Sequence, residues 1–380
     1  VVTTVKLTSY ASLVVNDDWS DALDAALADA RQPFHFGPGL TSTPGTHARV
    51  EIPAAPGPYR LSRTVQMRSG DHFVGDSPES SVLLFTHGGD GFVLDSHWNQ
   101  SSEDFGIEAL GVHQLVDADK SKGVWLKGGG HASFRDVSIG GFDIGMRLDR
   151  SELITIDRLK VASWPTIGRL IPTAGVVFGL VEGMGGGVTN GNRLRDCQFN
   201  GPRYGIVSED GAGNVVEGCN FNACGAMLLC TGAQGLVFRS CLAEGQTEPA
   251  AILCGIDGGY PGGGRVCWQA LSVEDCVISI GTARADGQGT SALLRTAIGA
   301  HGEYTSFRGT RVLGARPDGL GGDLGILPGG REVARGQFLF LVHGAENTRD
   351  AVRHAAQRAA EAGDALQCAP LLISSPRRLP

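Results

Sequence analysis

Cys197, Cys219 and Cys241 are separated by 22 and 22 residues, and their surroundings match: LRDCQFNG, VEGCNFNA, FRSCLAEG. Related segments surround Val137 (FRDVSIGG), Leu159 (IDRLKVAS) and Cys276 (VEDCVISI), and Val137 to Leu159 is again 22 residues. A fixed period of this length means one supersecondary unit stacked on copies of itself. Each copy has an apolar residue three before the anchor (Phe134, Ile156, Leu194, Val216, Phe238, Val273) and another two after it (Ile139, Val161, Phe199, Phe221, Ala243, Ile278), with polar residues between. That is the alternation of strands, not of helices.

Three short strands in about 22 residues describe one coil of a right-handed parallel β-helix. A further strand falls nine residues after each anchor, in Gly145–Leu148, Gly205–Ser208 and Ala226–Cys230, with Gly123–Leu126 in the same register. Inward residues then stack at roughly 4.8 Å along the axis. The Cys column is expected to fill the core as small hydrophobes. Its parallel register is poor for bridging, and nine Cys is an odd number. Asn200 and Asn222 are expected to take left-handed geometry at the next corner, with Glu244 in that place one coil on.

Composition excludes several alternatives. With 42% hydrophobic residues the chain is not disordered, and its apolar runs are too short to cross a membrane as a helix. A net charge of −8 makes nucleic acid and anionic membrane poor partners. No CxxC pair or Cys/His zinc spacing occurs, so no metal and no cofactor are expected. No leader segment is visible.

Before the repeat, Asn16-Asp17-Asp18-Trp19-Ser20 offers caps to a short helix over Asp21–Ala30. Strand-like segments follow at Val50–Pro53, Gly57-Pro58-Tyr59-Arg60-Leu61-Ser62, Thr64–Met67 and Phe73-Val74-Gly75-Asp76. A capping helix leading into this series resembles the start of the pectate-lyase-like superfamily of right-handed β-helices. That group holds polysaccharide lyases, glycoside hydrolases, phage tailspikes and inulin fructotransferases. The resemblance implies an all-β, single-stranded right-handed parallel β-helix of about nine or ten coils over residues 1–347. A C-terminal helix and tail, 348–380, would pack on it. It also implies a polysaccharide or oligosaccharide partner, a homotrimer, and an extracellular or virion-associated setting. The Asn-Thr-Asp, Asp-Asp, Gly-His-Gly and Arg-Ile-Lys set of polygalacturonases is absent, as is the Asp-Pro-His-Glu motif of mannuronan epimerases.

Bare coils are structural, and insertions build sites. Spacing between anchors and following strands places inserted loops at 162–174 and 280–290 on one flank, and at 181–191 and 255–265 on the other. The strand carrying Trp125, Arg147, Val207 and Leu229 would be the floor of a trough between them. At its end Lys127, Asp149, Gly179, Glu209 and Thr231 share one register. Asp149 and Glu209 would lie two coils, about 9.5 Å, apart. Inverting glycosidases hold their carboxylates roughly 6.5–9.5 Å apart. Asp149 and Glu209 are therefore the leading acid/base pair, with Asp210, Asp257 and Glu244 in reserve. The competing reading is that these carboxylates cap turns. Trp125 and Trp164 are candidates for stacking on sugar rings, with Tyr260 beside Asp257 in a Gly-rich loop. Arg147, Arg158, Lys160 and Arg203 are candidates to contact substrate, the last three through an acidic sugar. His131 and His301 read as ordinary polar residues. The expected function is cleavage or intramolecular transfer of glycosidic bonds. The alternatives are a polysaccharide lyase and a non-enzymatic glycan-binding tailspike or adhesin.

Overall fold

The computed structural model describes residues 3–31, 33–34, 45–46, 48–95, 104–162, 171–179, 189–248, 250–254, 267–279, 292–296, 301–313 and 337–340. The chain is a right-handed parallel β-helix. It divides into two compact units, Val1–Val177 with Val181–Pro202, and Phe178–Leu180 with Arg203–Pro380. The expected helix within 348–380 lies outside the described residues.

In the first unit one side of the coil is a parallel ladder in which Val5, Val50, Phe73, Ile107, Phe134, Ile156 and Leu194 occupy a single register. A second side aligns Tyr59, Leu83, Val112, Ile139, Val161 and Phe199. The third aligns Met67, Leu94, Leu126 and Leu148. Every one of these side chains from Val50 onward is at most 4% exposed. Identical positions stack because a 22-residue coil returns each inward residue over its predecessor. Each large side chain so buried contributes about 1.5–3 kcal/mol. The second unit repeats the plan with Val216, Phe238 and Val273; Phe221, Ala243 and Ile278; and Ile206, Leu228 and Ile252. It also contains an antiparallel pair, in which Gln337–Phe340 runs against His301–Arg308.

The helix α1, Ser20–Ala30, buries Ala22, Leu23, Ala26, Leu27 and Ala30 on one face. It starts one residue before the expected position. Asp18 does the capping, its Oδ1 accepting from Ser20 N at 3.0 Å. Just after α1, Arg31 donates to both oxygens of Asp71 (3.1 and 2.7 Å) and to Gln66 O (2.8 Å), tying the helix to the first coils. Asp71 is fully buried.

The corners explain the period. Asp196 and Gly201 have φ of 53° and 87°, and Gly191 and Gly213 have 62° and 64°. The left-handed residues thus fall five, five and twelve apart along one coil. In the second unit the same corners are Gly218 and Ser240, Ala223 and Gly245, and Gly213 and Gly235. The N–H of a corner residue bonds the carbonyl just before the equivalent corner of the next coil: Gly213 to Gln234 (2.7 Å), Ser240 to Glu274 (2.9 Å), Ala223 to Glu244 (2.9 Å). The expectation of left-handed Asn200 and Asn222 is corrected by one position. Both lie in strands, and Gly201 and Ala223 make the turn.

Among the described residues seven Cys are buried free thiols, including Cys197, Cys219, Cys241 and Cys276. They are more than fillers, because each of these four anchors follows a left-handed residue. Cys197 Sγ donates to Arg195 O (3.3 Å), Cys219 to Glu217 O (3.3 Å), Cys241 to Arg239 O (3.3 Å) and Cys276 to Glu274 O (3.2 Å). At the next anchor Thr310 Oγ1 takes the role, facing Arg308 O at 3.5 Å and donating across the coils to Val273 O at 3.0 Å. Hydrogen bonding between stacked thiols, reinforced by burial, pushes Cys254 and Cys276 above the ordinary thiol range.

Two residues before each anchor, outward side chains alternate in sign. The first unit has Glu108, Arg135, Asp157 and Arg195 in one register. The second has Glu217, Arg239, Glu274 and Arg308. Arg195 Nε donates to Asp157 at 2.8 Å, and Arg239 donates to Glu274 at 3.0 Å.

Candidate functional site

The strands Phe92–Asp95, Lys122–Gly130 and Ile144–Glu152 of the first unit run parallel, with Trp125 beside Val93 and Arg147, and Lys127 beside Asp95 and Asp149. Val124, Leu126, Met146 and Leu148 point inward and are fully buried. The odd-numbered residues therefore face outward. There Trp125 Nε1 donates to Asp149 Oδ2 at 2.6 Å, and Arg147 Nε donates to the same oxygen at 3.0 Å. Asp149 is 2% exposed. Its Oδ1 lies 2.9 Å from Arg147 Nε, yet accepts no hydrogen bond among the described residues.

The indole carries two cations. Lys122 Nζ is 3.9 Å and Lys127 Nζ 4.1 Å from a Trp125 ring centroid. Such contacts are worth about 0.5–2 kcal/mol each, more where water is excluded. Lys122 also donates to Lys120 O at 2.7 Å and pairs with Asp90 at 3.4 Å. Lys127 pairs with Asp95 at 3.0 Å. Burial pushes the Lys122 ammonium below its ordinary range, against the pull of Asp90. The arrangement offers a partly exposed aromatic surface, donors and acceptors around its rim, and one buried carboxylate oxygen still able to accept a proton or hydrogen bond.

The other candidates are dispersed. Glu209 is 9% exposed, and its N–H donates to Phe178 O at 2.9 Å. Asp210 uses Oδ1 to accept from Gly211 N at 2.8 Å, a turn-capping role. Glu244 is exposed in the strand Leu242–Glu244. Asp149 belongs to the first unit and Glu209 to the second. Val207 and Leu229, expected to form open floor, are instead fully buried, along with Met227 and Ala251. Arg158 occupies a left-handed corner (φ 54°) and holds Asp136 through two hydrogen bonds. Arg203 pairs with Glu248 at 2.8 Å. Lys160 is half-buried beside Ser138 and Gln198. His131 is a left-handed corner residue, and His301 begins the strand His301–Arg308. Trp164, Asp257 and Tyr260 lie outside the described residues. Among those described, no group of three or more His, Cys, Asp or Glu is arranged to hold a metal, and no helix is long and apolar enough to cross a membrane.

Lys122, Asp90 and Asp95 were not singled out from the sequence. Lys122 sits three residues before Trp125, and Asp95 has the register of Lys127 one coil earlier, so the alternation Asp95–Lys127–Asp149 was available as a signal.

The fold is that of a right-handed parallel β-helix. No family model matches the sequence, and no curated protein matches it. Solved structures do. The DFA-IIIase of Arthrobacter chlorophenolicus A6, in complex with GF2, aligns over 83% of this chain and 90% of its own, at 12% identity and a TM-score of 0.54. The surface protein and adhesin PfbA of Streptococcus pneumoniae aligns over 79% and 82%, at 12% identity and a TM-score of 0.54. The Geobacillus virus E2 ORF18 structure aligns over 82% of this chain at 13% identity and a TM-score of 0.47; the chain spans only 61% of that protein's length.

Proposed function

We propose that the protein is a carbohydrate-active β-helix in which a sugar ring rests against Trp125 and Asp149 serves as the base. The observation that carries this reading is Asp149 Oδ1: buried, anchored beside Arg147, and without a hydrogen-bond partner among the described residues. A water or sugar hydroxyl would complete its coordination, and the carboxylate would take the proton as that oxygen attacks the anomeric carbon. The departing glycosidic oxygen would take its proton from water. An enzyme is also among the structural neighbours, one solved with an oligosaccharide-type ligand, GF2.

A second reading, a non-catalytic glycan binder, is favoured by the double clamp on Asp149, which would equally serve to fix the indole. Incubation with a panel of neutral and uronic polysaccharides separates the two, with reducing ends and absorbance at 235 nm both followed. Hydrolysis yields reducing ends alone, a lyase yields both signals, and a binder yields neither while retaining the polymer. For a hydrolase, Asp149→Asn should lower turnover per folded molecule by about 10²–10⁴, and should also lower the melting temperature because Arg147 loses its charged partner. Unchanged turnover would remove Asp149 from the mechanism.

A further inference from the structure

Resting on the glycan reading above, we infer that the sugar polymer this site takes is uncharged. Each cation around Trp125 already has its own carboxylate: Lys122 has Asp90 at 3.4 Å, Lys127 has Asp95 at 3.0 Å, and Arg147 has Asp149 at 2.9 Å. Among the described residues, three positive and three negative groups leave the patch with no formal excess of either sign. A uronate arriving here must break one of these pairs or be desolvated beside a carboxylate, and either is a cost that an uncharged hydroxyl avoids. Neutral hydroxyls can instead donate to the carboxylates and accept from the ammonium groups without disturbing the pairing.

The basic residues elsewhere point the same way. Arg158 is held by Asp136 and Arg203 by Glu248, so neither offers an uncompensated charge to an acidic sugar. The chain as a whole carries a net charge of −8, and that field repels a polyanion at low salt. An aromatic face with balanced donors and acceptors fits a hydroxyl-rich neutral ring, bound by stacking and hydrogen bonds.

The experiment is affinity electrophoresis of the full chain in gels containing a neutral fructan, a neutral glucan, polygalacturonate or alginate, at 10 mM and 200 mM NaCl. Retardation is expected from at least one neutral polymer, with apparent affinity changing less than about two-fold between the salts. It should fall at least ten-fold in Trp125→Ala. Trp125→Phe, which keeps a ring in place, guards against a folding defect and should retain part of the binding. Asp95 is half exposed, and Asp95→Asn removes the carboxylate that pairs with Lys127 at 3.0 Å. This variant should gain affinity for the uronic polymers by about two- to five-fold at low salt only. Preferential, Trp125-dependent retardation by a uronic polymer in the wild type would overturn the inference while leaving the glycan reading standing. No Trp125-dependent retardation by any of the four would overturn both.

Discussion

Gly213 isolates the conformational cost of a corner. Its φ is 64°, its N–H bonds Gln234 O at 2.7 Å, and a Cβ built on it would meet nothing within 4 Å. Gly213→Ala therefore changes neither packing nor hydrogen bonding. What remains is the left-handed penalty of about 1–2 kcal/mol for a residue with a Cβ. About 0.4–1 kcal/mol is offset by the stiffer unfolded chain. The net destabilisation is about 0.5–1 kcal/mol. Ala223 is the mirror case: φ 51°, exposed, its N–H bonded to Glu244 O at 2.9 Å. Ala223→Gly should stabilise by a similar amount. Both residues belong to the second unit, so one transition reports on both. With a urea slope of about 3 kcal/mol/M or more for a chain of this size, the midpoints should move by about 0.2–0.3 M in opposite directions. The double variant should return close to the wild type. At Gly141 the added Cβ would come within 2.1 Å of Gln114 O, so Gly141→Ala should cost far more than Gly213→Ala. If Gly213→Ala and Ala223→Gly shift the midpoint in the same direction, or not at all, the left-handed geometry is not what limits stability at the corners.

Arg31→Leu should destabilise by about 3–5 kcal/mol, because it leaves the fully buried Asp71 carboxylate without its cation; thermal unfolding of the two proteins measures this. Burial lowers His113 to about 4, so the folded state resists a proton that the unfolded chain accepts below about 6.5. Its contribution is fully present above pH 6.5 and is lost as pH falls toward 4, by about 3 kcal/mol; denaturation at a series of pH values should show that slope, and His113→Gln should remove it. Arg239→Glu should lower the urea midpoint at low salt and lower it less in 1 M NaCl, since it puts a third acidic side chain in line with Glu217 and Glu274. The seven buried thiols should stay unreactive toward a thiol reagent until the protein is unfolded; rapid native-state modification of Cys219 or Cys241 would contradict their placement.

The repeat was legible because its apolar residues alternate. Phe134, Ile156 and Leu194 stack as the spacing requires, and so do Phe221, Ala243 and Ile278. The corners were read one residue early. Propensity favours Asn222 over Ala223 for left-handed geometry, but the cross-coil bond from Ala223 N to Glu244 O fixes which residue turns, and tertiary structure overrides the local preference. The charge alternation was missed because only the sign changes regularly from coil to coil, while the residue types vary. Trp125, Arg147 and Asp149 could be found from strand register. Asp90 could not, because it comes from the turn between Val82–Phe85 and Phe92–Asp95 and reaches Lys122 only through the coil stacking. The Arg31–Asp71 clamp joins residues 40 apart and has no local signature.

A chain of near-identical coils faces a threading problem: any coil could stack on the wrong neighbour with its apolar residues still aligned. The alternating side chains act as a parity check on that error. If a coil were skipped in the second unit, Glu217 would lie beside Glu274, or Arg239 beside Arg308, and like charges would meet along the strand. Only a slip of two coils would restore complementarity, and that must loop out twice as much chain. The apolar rows thus supply most of the cohesion but cannot count. The charged column adds little cohesion, yet it distinguishes odd displacements from even ones. Its signature would be kinetic: loss of the alternation should lower the yield of correctly refolded protein more than it lowers the stability of the molecules that do fold.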